Sequence, residues 1–163
     1  MRPIAPSPAV AERHFALPDP AATASLAAAV ARLARPGDVI ALHGDLGAGK
    51  TLFARAFIGE AEVPSPTFTL VQTYEPPEGE TAGGRIWHFD LYRLQGPEEA
   101  IELGIEDAFA EGISLIEWPD RLGALLPAER LDVALDFAAA PEARVARLTG
   151  HGRWAALLDK IVP

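Results

Sequence analysis

The 163 residues include neither cysteine nor asparagine. The first absence excludes disulfides, thiolate nucleophiles and Cys-ligated zinc. The second excludes the Asn-Lys-x-Asp element with which GTPases read guanine. Lysine is nearly missing too, Lys50 and Lys160 being the only two. Lys plus Arg number 14 against 23 Asp plus Glu, a formal charge of −9. That balance argues against tight direct binding to nucleic acid, which needs clustered cations to neutralise phosphates. No apolar run reaches the length of a membrane-spanning helix, so no membrane partner is expected. The Ala-rich run 21–34 comes nearest to a targeting segment, yet Glu12 and Asp19 precede it and Arg32 interrupts it. A cytoplasmic protein is the expectation. There is no internal repeat.

What remains is ordinary globular composition, 49% hydrophobic and 23% charged, enough for a single domain with a real core. Within it, Gly44-Asp45-Leu46-Gly47-Ala48-Gly49-Lys50-Thr51 fits the phosphate-loop pattern G-x-x-x-x-G-K-[ST] in full. Such a loop turns backbone N–H groups inward around a polyphosphate, and glycine permits the bends and the close approach. Lys50 is placed to reach the β- and γ-phosphates, the Thr51 hydroxyl to sit on Mg²⁺, and the N-terminus of the next helix to add its field. The flanks agree. The run 38–43 reads as a buried strand, and Lys50 to Ile58 as a helix with Leu52, Phe53, Ala56 and Phe57 on one face. With asparagine absent, adenine or no strong base preference is expected.

The rest of the chain supplies the surroundings. Residues 1–14 read as a loose leader and 15–163 as the domain, with a first short strand near Phe15. Asp19-Pro20 is a helix start, Asp as N-cap and Pro at the first helical position, and Leu26, Val30 and Leu33 form its apolar stripe. Pro36-Gly37 turns the chain into the strand before the loop. Gly59 stops the following helix, and Pro64 and Pro66 hold an extended stretch. Residues 68–74 and 85–90 read as a hairpin across a polar turn. A short helix opens at Gly96-Pro97, and Glu106-Asp107 resembles a helix cap. Residues 112–118 form another apolar run, and 131–137 alternate as a half-buried strand with an antiparallel partner in 144–149. Trp154, Leu157, Leu158 and Ile161 mark a closing helix.

Hydrolysis or transfer also needs a carboxylate near the metal or the attacking oxygen. Ile113 to Glu117 and Ile86 to Asp90 each deliver an acid at the end of an apolar run. Ligands of open α/β sheets bind beyond the carboxyl ends of strands, so both acids converge on the loop if their strands run parallel to the one before it. His88 is expected as a hydrogen-bonded core residue. Asp120-x-x-Gly123 resembles a GTPase switch element only loosely. Three functions stand open on residues alone. They are an ATPase; a small-molecule kinase, with Asp90 activating an acceptor hydroxyl; and a nucleotide-gated binding module. No Arg-rich lid accompanies the loop, and the dense charge at 98–107 is acidic.

Five segments together are similar to one family: 44–51, Ser65-Pro-Thr-Phe-Thr-Leu-Val71, His88-Phe-Asp-Leu-Tyr-Arg-Leu94, Leu103-Gly-Ile-Glu-Asp107 and Leu115-Ile-Glu-Trp-Pro119. They resemble the TsaE family, formerly called YjeE, the small ATPase of the bacterial machinery that makes threonylcarbamoyladenosine in tRNA. The resemblance runs from about Leu17 to Thr149. It implies a single α/β phosphate-loop domain with a mixed sheet flanked by helices. It also implies ATP and Mg²⁺ as ligands. The implied partners are the TsaD and TsaB proteins, which perform the transfer while this family sustains repeated turnover and meets tRNA only through them. Position by position it implies ATP contacts from Leu46, Gly47, Ala48, Gly49, Lys50 and Thr51, with Thr67 in a switch-like segment and Pro18 near the base. Asp90 becomes an acid near ATP, and Glu117, with Trp118 next to it, the acid beside Mg²⁺. Slow hydrolysis by the isolated chain is the matching expectation.

Overall fold

Asp19 and Pro20 start the first helix as their chemistry dictates. Asp19 is extended, its Oδ1 accepts from the Ala22 amide at 2.8 Å, and Pro20 needs no N–H at the first helical position. The computed structural model describes residues 9–59, 69–75 and 84–163. In chain order they form β1 (Val10–Leu17), α1 (Pro20–Leu33), β2 (Val39–His43), α2 (Lys50–Ile58), β3 (Val71–Tyr74), β4 (Ile86–Asp90), α3 (Pro97–Glu102) and α4 (Ile105–Glu111). Then come β5 (Ile113–Glu117), a 3-10 segment Pro119–Leu125, β6 (Leu131–Phe137), β7 (Arg144–His151), α5 (Arg153–Leu157) and a last 3-10 turn Leu158–Lys160.

The strands make one mixed sheet in the order β1-β7-β6-β2-β5-β4-β3. Its centre is parallel: β2 pairs with β5 and β6, and β5 with β4. Parallel strands covered on both faces need apolar runs; Val39 to Leu42 supplies one and Ile113 to Ile116 another, interrupted only by the buried Ser114. The hairpin pairing of β3 with β4 and of β6 with β7 is antiparallel. One core places Leu26 and Val30 of α1 and Phe53 and Phe57 of α2 against Ile40, Leu42, Leu115 and Val133. A second, on the opposite face, packs Ala100, Ile105, Ala108 and Leu122 on Val39, Phe89 and Ile116. The expected class, an α/β domain with helices flanking a mixed sheet, is what forms.

Four local expectations shift. Strand β1 begins at Val10, because pairing with β7 from Val10↔His151 to Leu17↔Arg144 organises residues that have no pattern of their own. Helix α2 buries Phe53, Ala54 and Phe57, while Leu52 turns to the cleft described below. Glu106 and Asp107 occupy the first turn of α4 behind a left-handed Gly104, where they face the helix N-terminus without capping it. The closing helix tightens to 3-10 after Leu157, with Trp154, Leu158 and Ile161 buried in the core and Leu157 packed partly buried against it. The segments around Pro64, Pro66 and Thr67 and the 76–83 turn lie outside the described residues.

Candidate nucleotide site

Strand β2 ends at His43, and the chain must turn at once over the sheet edge. Gly44 does this at φ +148°, where an added Cβ would stand 2.7 Å from the Leu135 carbonyl oxygen. Gly49, at φ +111°, delivers the chain into α2. The loop is held from both sides. Lys50 folds back inside it and donates from Nζ to the carbonyls of Gly44 and, at 3.1 Å, Asp45. From outside, Arg144 on β7 donates to the carbonyls of Ala48 at 3.1 Å and Gly47 at 3.2 Å. A trans peptide points its C=O and N–H in opposite directions. Tying the Ala48 carbonyl outward therefore turns the Gly49 amide inward, toward the space beside the loop.

That space is a cleft of about 320 Å³ lined by Leu46, Gly47, Gly49, Lys50, Thr51, Leu52, Asp90, Tyr92, Arg93, Glu117 and Trp118. The two acids arrive because β4, β5 and β2 are parallel neighbours in register, Asp90 opposite Glu117 and Glu117 opposite Leu42. Both are nearly buried, Asp90 at 6% and Glu117 at 3% exposure. Glu117 is gripped at both oxygens. Thr51 Oγ1 donates to Oε1 at 3.1 Å, and His88 Nε2 stands 2.7 Å from Oε2. Asp90 Oδ1 accepts from the Tyr92 amide at 3.1 Å. Burial pushes the Lys50 ammonium below its usual pKa, against the opposing pull of Glu117, Asp90, Asp45 and Asp120.

Trp118 closes the cleft in a strained backbone, φ 60° and ψ 54°, directly before Pro119. A left-handed non-glycine residue costs on the order of 1–3 kcal/mol. It is held by contacts on the ring, which lies 4.1 Å from Lys50 Nζ and 4.9 Å, centroid to centroid, from Tyr92. The donor set also fits a divalent cation. A hydroxyl and a carboxylate 3.1 Å apart offer hard oxygens of the kind Mg²⁺ takes, with waters and phosphates completing its shell.

The structure thus brings Leu46, Gly47, Gly49, Lys50, Thr51, Asp90 and Glu117 to one cleft. Ala48 is buried behind it, contributing backbone. Pro18 does not line it; exposed, it follows Leu17, the partner of Arg144, at the loop end of the sheet. Thr67 lies outside the described residues. Sequence reasoning missed Arg93, which follows Asp90 and Tyr92 into the cleft, and Arg144, for which no local signal exists. His88 was placed in the core but not against Glu117. The available signal was its spacing, two residues before Asp90 and so on the same strand face.

A parallel-centred sheet with a glycine loop between strand and helix, and acids ending the adjacent strand β5 and the next one, β4, defines a phosphate-loop NTPase fold. The family model described as "Threonylcarbamoyl adenosine biosynthesis protein TsaE" matches residues 17–145. The chain belongs to the TsaE family. It is 44% identical over 119 residues to the tRNA threonylcarbamoyladenosine biosynthesis protein TsaE of Rickettsia felis, covering 70% of this chain and 67% of that one. Its match to the Bacillus subtilis protein of the same name is 34% over 148 residues, 88% and 89% of the two chains. The crystal structure of Bacillus subtilis YdiB superposes with a TM-score of 0.73 at 29% identity, over 94% of this chain and 95% of the other.

Proposed function

We propose that this chain binds ATP with Mg²⁺ in the 44–51 cleft and hydrolyses it in the service of tRNA threonylcarbamoyladenosine biosynthesis. One observation carries the reading: the register that sets Asp90 beside Glu117 and Glu117 beside the strand feeding the loop. The names of the relatives supply the pathway. In this reading the loop amides from Leu46 to Gly49 and the Lys50 ammonium take the phosphates, Thr67 belongs to a switch-like segment, and Pro18 lies toward the base. Thr51 and Glu117 hold the cation. Asp90, at the adjoining strand end, orients the attacking water. Bound magnesium would neutralise phosphate charge and polarise the γ-phosphoryl group. Electrostatics also call for that cation, since a triphosphate meets four carboxylates around Lys50.

The expected setting is the cytoplasm, with TsaD and TsaB as partners and tRNA met only through them. Isolated turnover should be slow, with partner contact completing the cleft that Arg93 and Trp118 line. Reconstituting tRNA modification over many turnovers, with and without this chain, tests the reading. Product should stop near one equivalent per TsaD without it and accumulate with it. Robust ATP hydrolysis by the pure chain, unchanged by TsaB and TsaD, overturns the partner dependence, and ADP release driven by a small acceptor alone would mark a kinase instead.

The clamp on the loop gives a separate expectation. Arg144→Ala frees the Gly47 and Ala48 carbonyls and is expected to weaken Mg²⁺-nucleotide binding about tenfold, the low end of the range for one charge-assisted hydrogen bond. Calorimetric titration measures it, and Arg144→Lys, with charge but no fork, should fall between.

A further inference from the structure

His88 is the buried polar group that the scheme above leaves without a task. Its ring is fully buried, its Nε2 lies 2.7 Å from Glu117 Oε2, and its Nδ1 has no hydrogen-bond partner among the described residues. A proton on Nδ1 would be stranded, whereas one on Nε2 meets a carboxylate oxygen; the ring is therefore a donor at Nε2. Among the described residues, the hydrogen bonds to the Glu117 carboxylate come from two groups, Thr51 and His88. When a cation takes the Thr51 hydroxyl, the His88 contact is what keeps the carboxylate from rotating.

Resting on the nucleotide reading above, we infer that His88 is a positioning residue for cation binding: its Nε2–H fixes Oε2 of Glu117 so that Oε1 stays aimed at Thr51. Outer partners of this kind tune metal affinity by about 10- to 100-fold in known sites. The strand geometry makes the contact possible, because His88 lies opposite Leu115 on β5 and two residues before Asp90, on the face turned to α2. A core histidine serving only stability would share the burial but would not couple magnesium to nucleotide.

The test measures ADP affinity of the full chain with Mg²⁺ and with EDTA, by calorimetry, and takes the ratio. His88→Leu should cut the magnesium-dependent gain about tenfold and leave affinity in EDTA unchanged. His88→Gln, whose amide N–H reaches about as far as Nε2, should keep the gain within about threefold, and His88→Asn, which reaches only as far as Nδ1, should lose it. If His88→Leu does not fold, the Gln and Asn pair carries the same contrast. A wild-type ratio in folded His88→Leu, or equal losses in Gln and Asn, overturns the inference. If the wild-type chain itself shows no magnesium-dependent ADP binding, the nucleotide-and-magnesium reading fails, and the role of His88 falls with it.

Discussion

Lys50→Ala is expected to abolish Mg²⁺-nucleotide binding, by at least about a hundredfold, and every downstream activity with it. Truncating one partner of a buried charged contact costs roughly 2–5 kcal/mol, and here two effects add to it. Nζ ties the Gly44 and Asp45 carbonyls together, so its loss loosens the turn at the mouth of the loop. It also leaves Glu117, Asp90, Asp45 and Asp120 facing the incoming phosphates with no ammonium among them. The nucleotide-free protein should respond in the opposite sense. Burial holds the folded-state pKa of Lys50 below its unfolded value, so the folded state carries a charging penalty at every pH below that lowered pKa, relieved as pH rises through it. Lys50→Met removes the penalty, and its thermal midpoint without ligand should equal or exceed that of the wild type. Calorimetric titration and thermal denaturation check the two halves. Nucleotide affinity in Lys50→Ala within tenfold of wild type would show that the loop is not the phosphate site.

What the sequence made legible was local or periodic. The loop and helix at 44–58 follow from glycine spacing and a 3.6-residue pattern, and the helix start at Asp19-Pro20 from cap chemistry. The acids at the ends of 86–90 and 113–117 were visible as ends of apolar runs, but their convergence was conditional on strand direction. Only the register Asp90↔Glu117 fulfils that condition, and register depends on neighbours far along the chain. The same holds for Arg144, 96 residues from the carbonyl it binds. Trp118 is legible as a neighbour of Glu117, yet nothing local announces a left-handed residue before proline, or the packing of the Trp118 ring on Lys50 and Tyr92. Long-range polar pairing is invisible to propensity because it is decided by the order of strands in the sheet.

Glu117→Gln is the substitution that separates turnover from binding, and it is expected to cut ATP hydrolysis by on the order of 100- to 1,000-fold. The variant keeps the shape of the side chain, so folding should survive with a thermal midpoint near that of the wild type. The direction in which the new amide settles decides the rest. His88 presents Nε2–H and needs an acceptor, while the Thr51 hydroxyl can rotate to accept as readily as it donates. The amide oxygen therefore turns to His88 and the NH₂ to Thr51, which places a donor where the cation requires an oxygen. Nucleotide still meets the loop amides and Lys50, so ADP affinity in EDTA should stay within about threefold, whereas the gain from magnesium shrinks. Phosphate release in the presence of TsaD and TsaB, and modification over many turnovers, should both collapse. Modification sustained at the wild-type level despite lost hydrolysis would make the chain a nucleotide-gated module rather than an ATPase. Hydrolysis undiminished in Glu117→Gln would move the metal-side role to Asp90, which lies one strand away from Glu117 and accepts at Oδ1 from the Tyr92 amide. Asp90→Asn distinguishes these, because losing a water-orienting acid should depress turnover at saturating ATP while leaving the magnesium-dependent gain in ADP affinity intact.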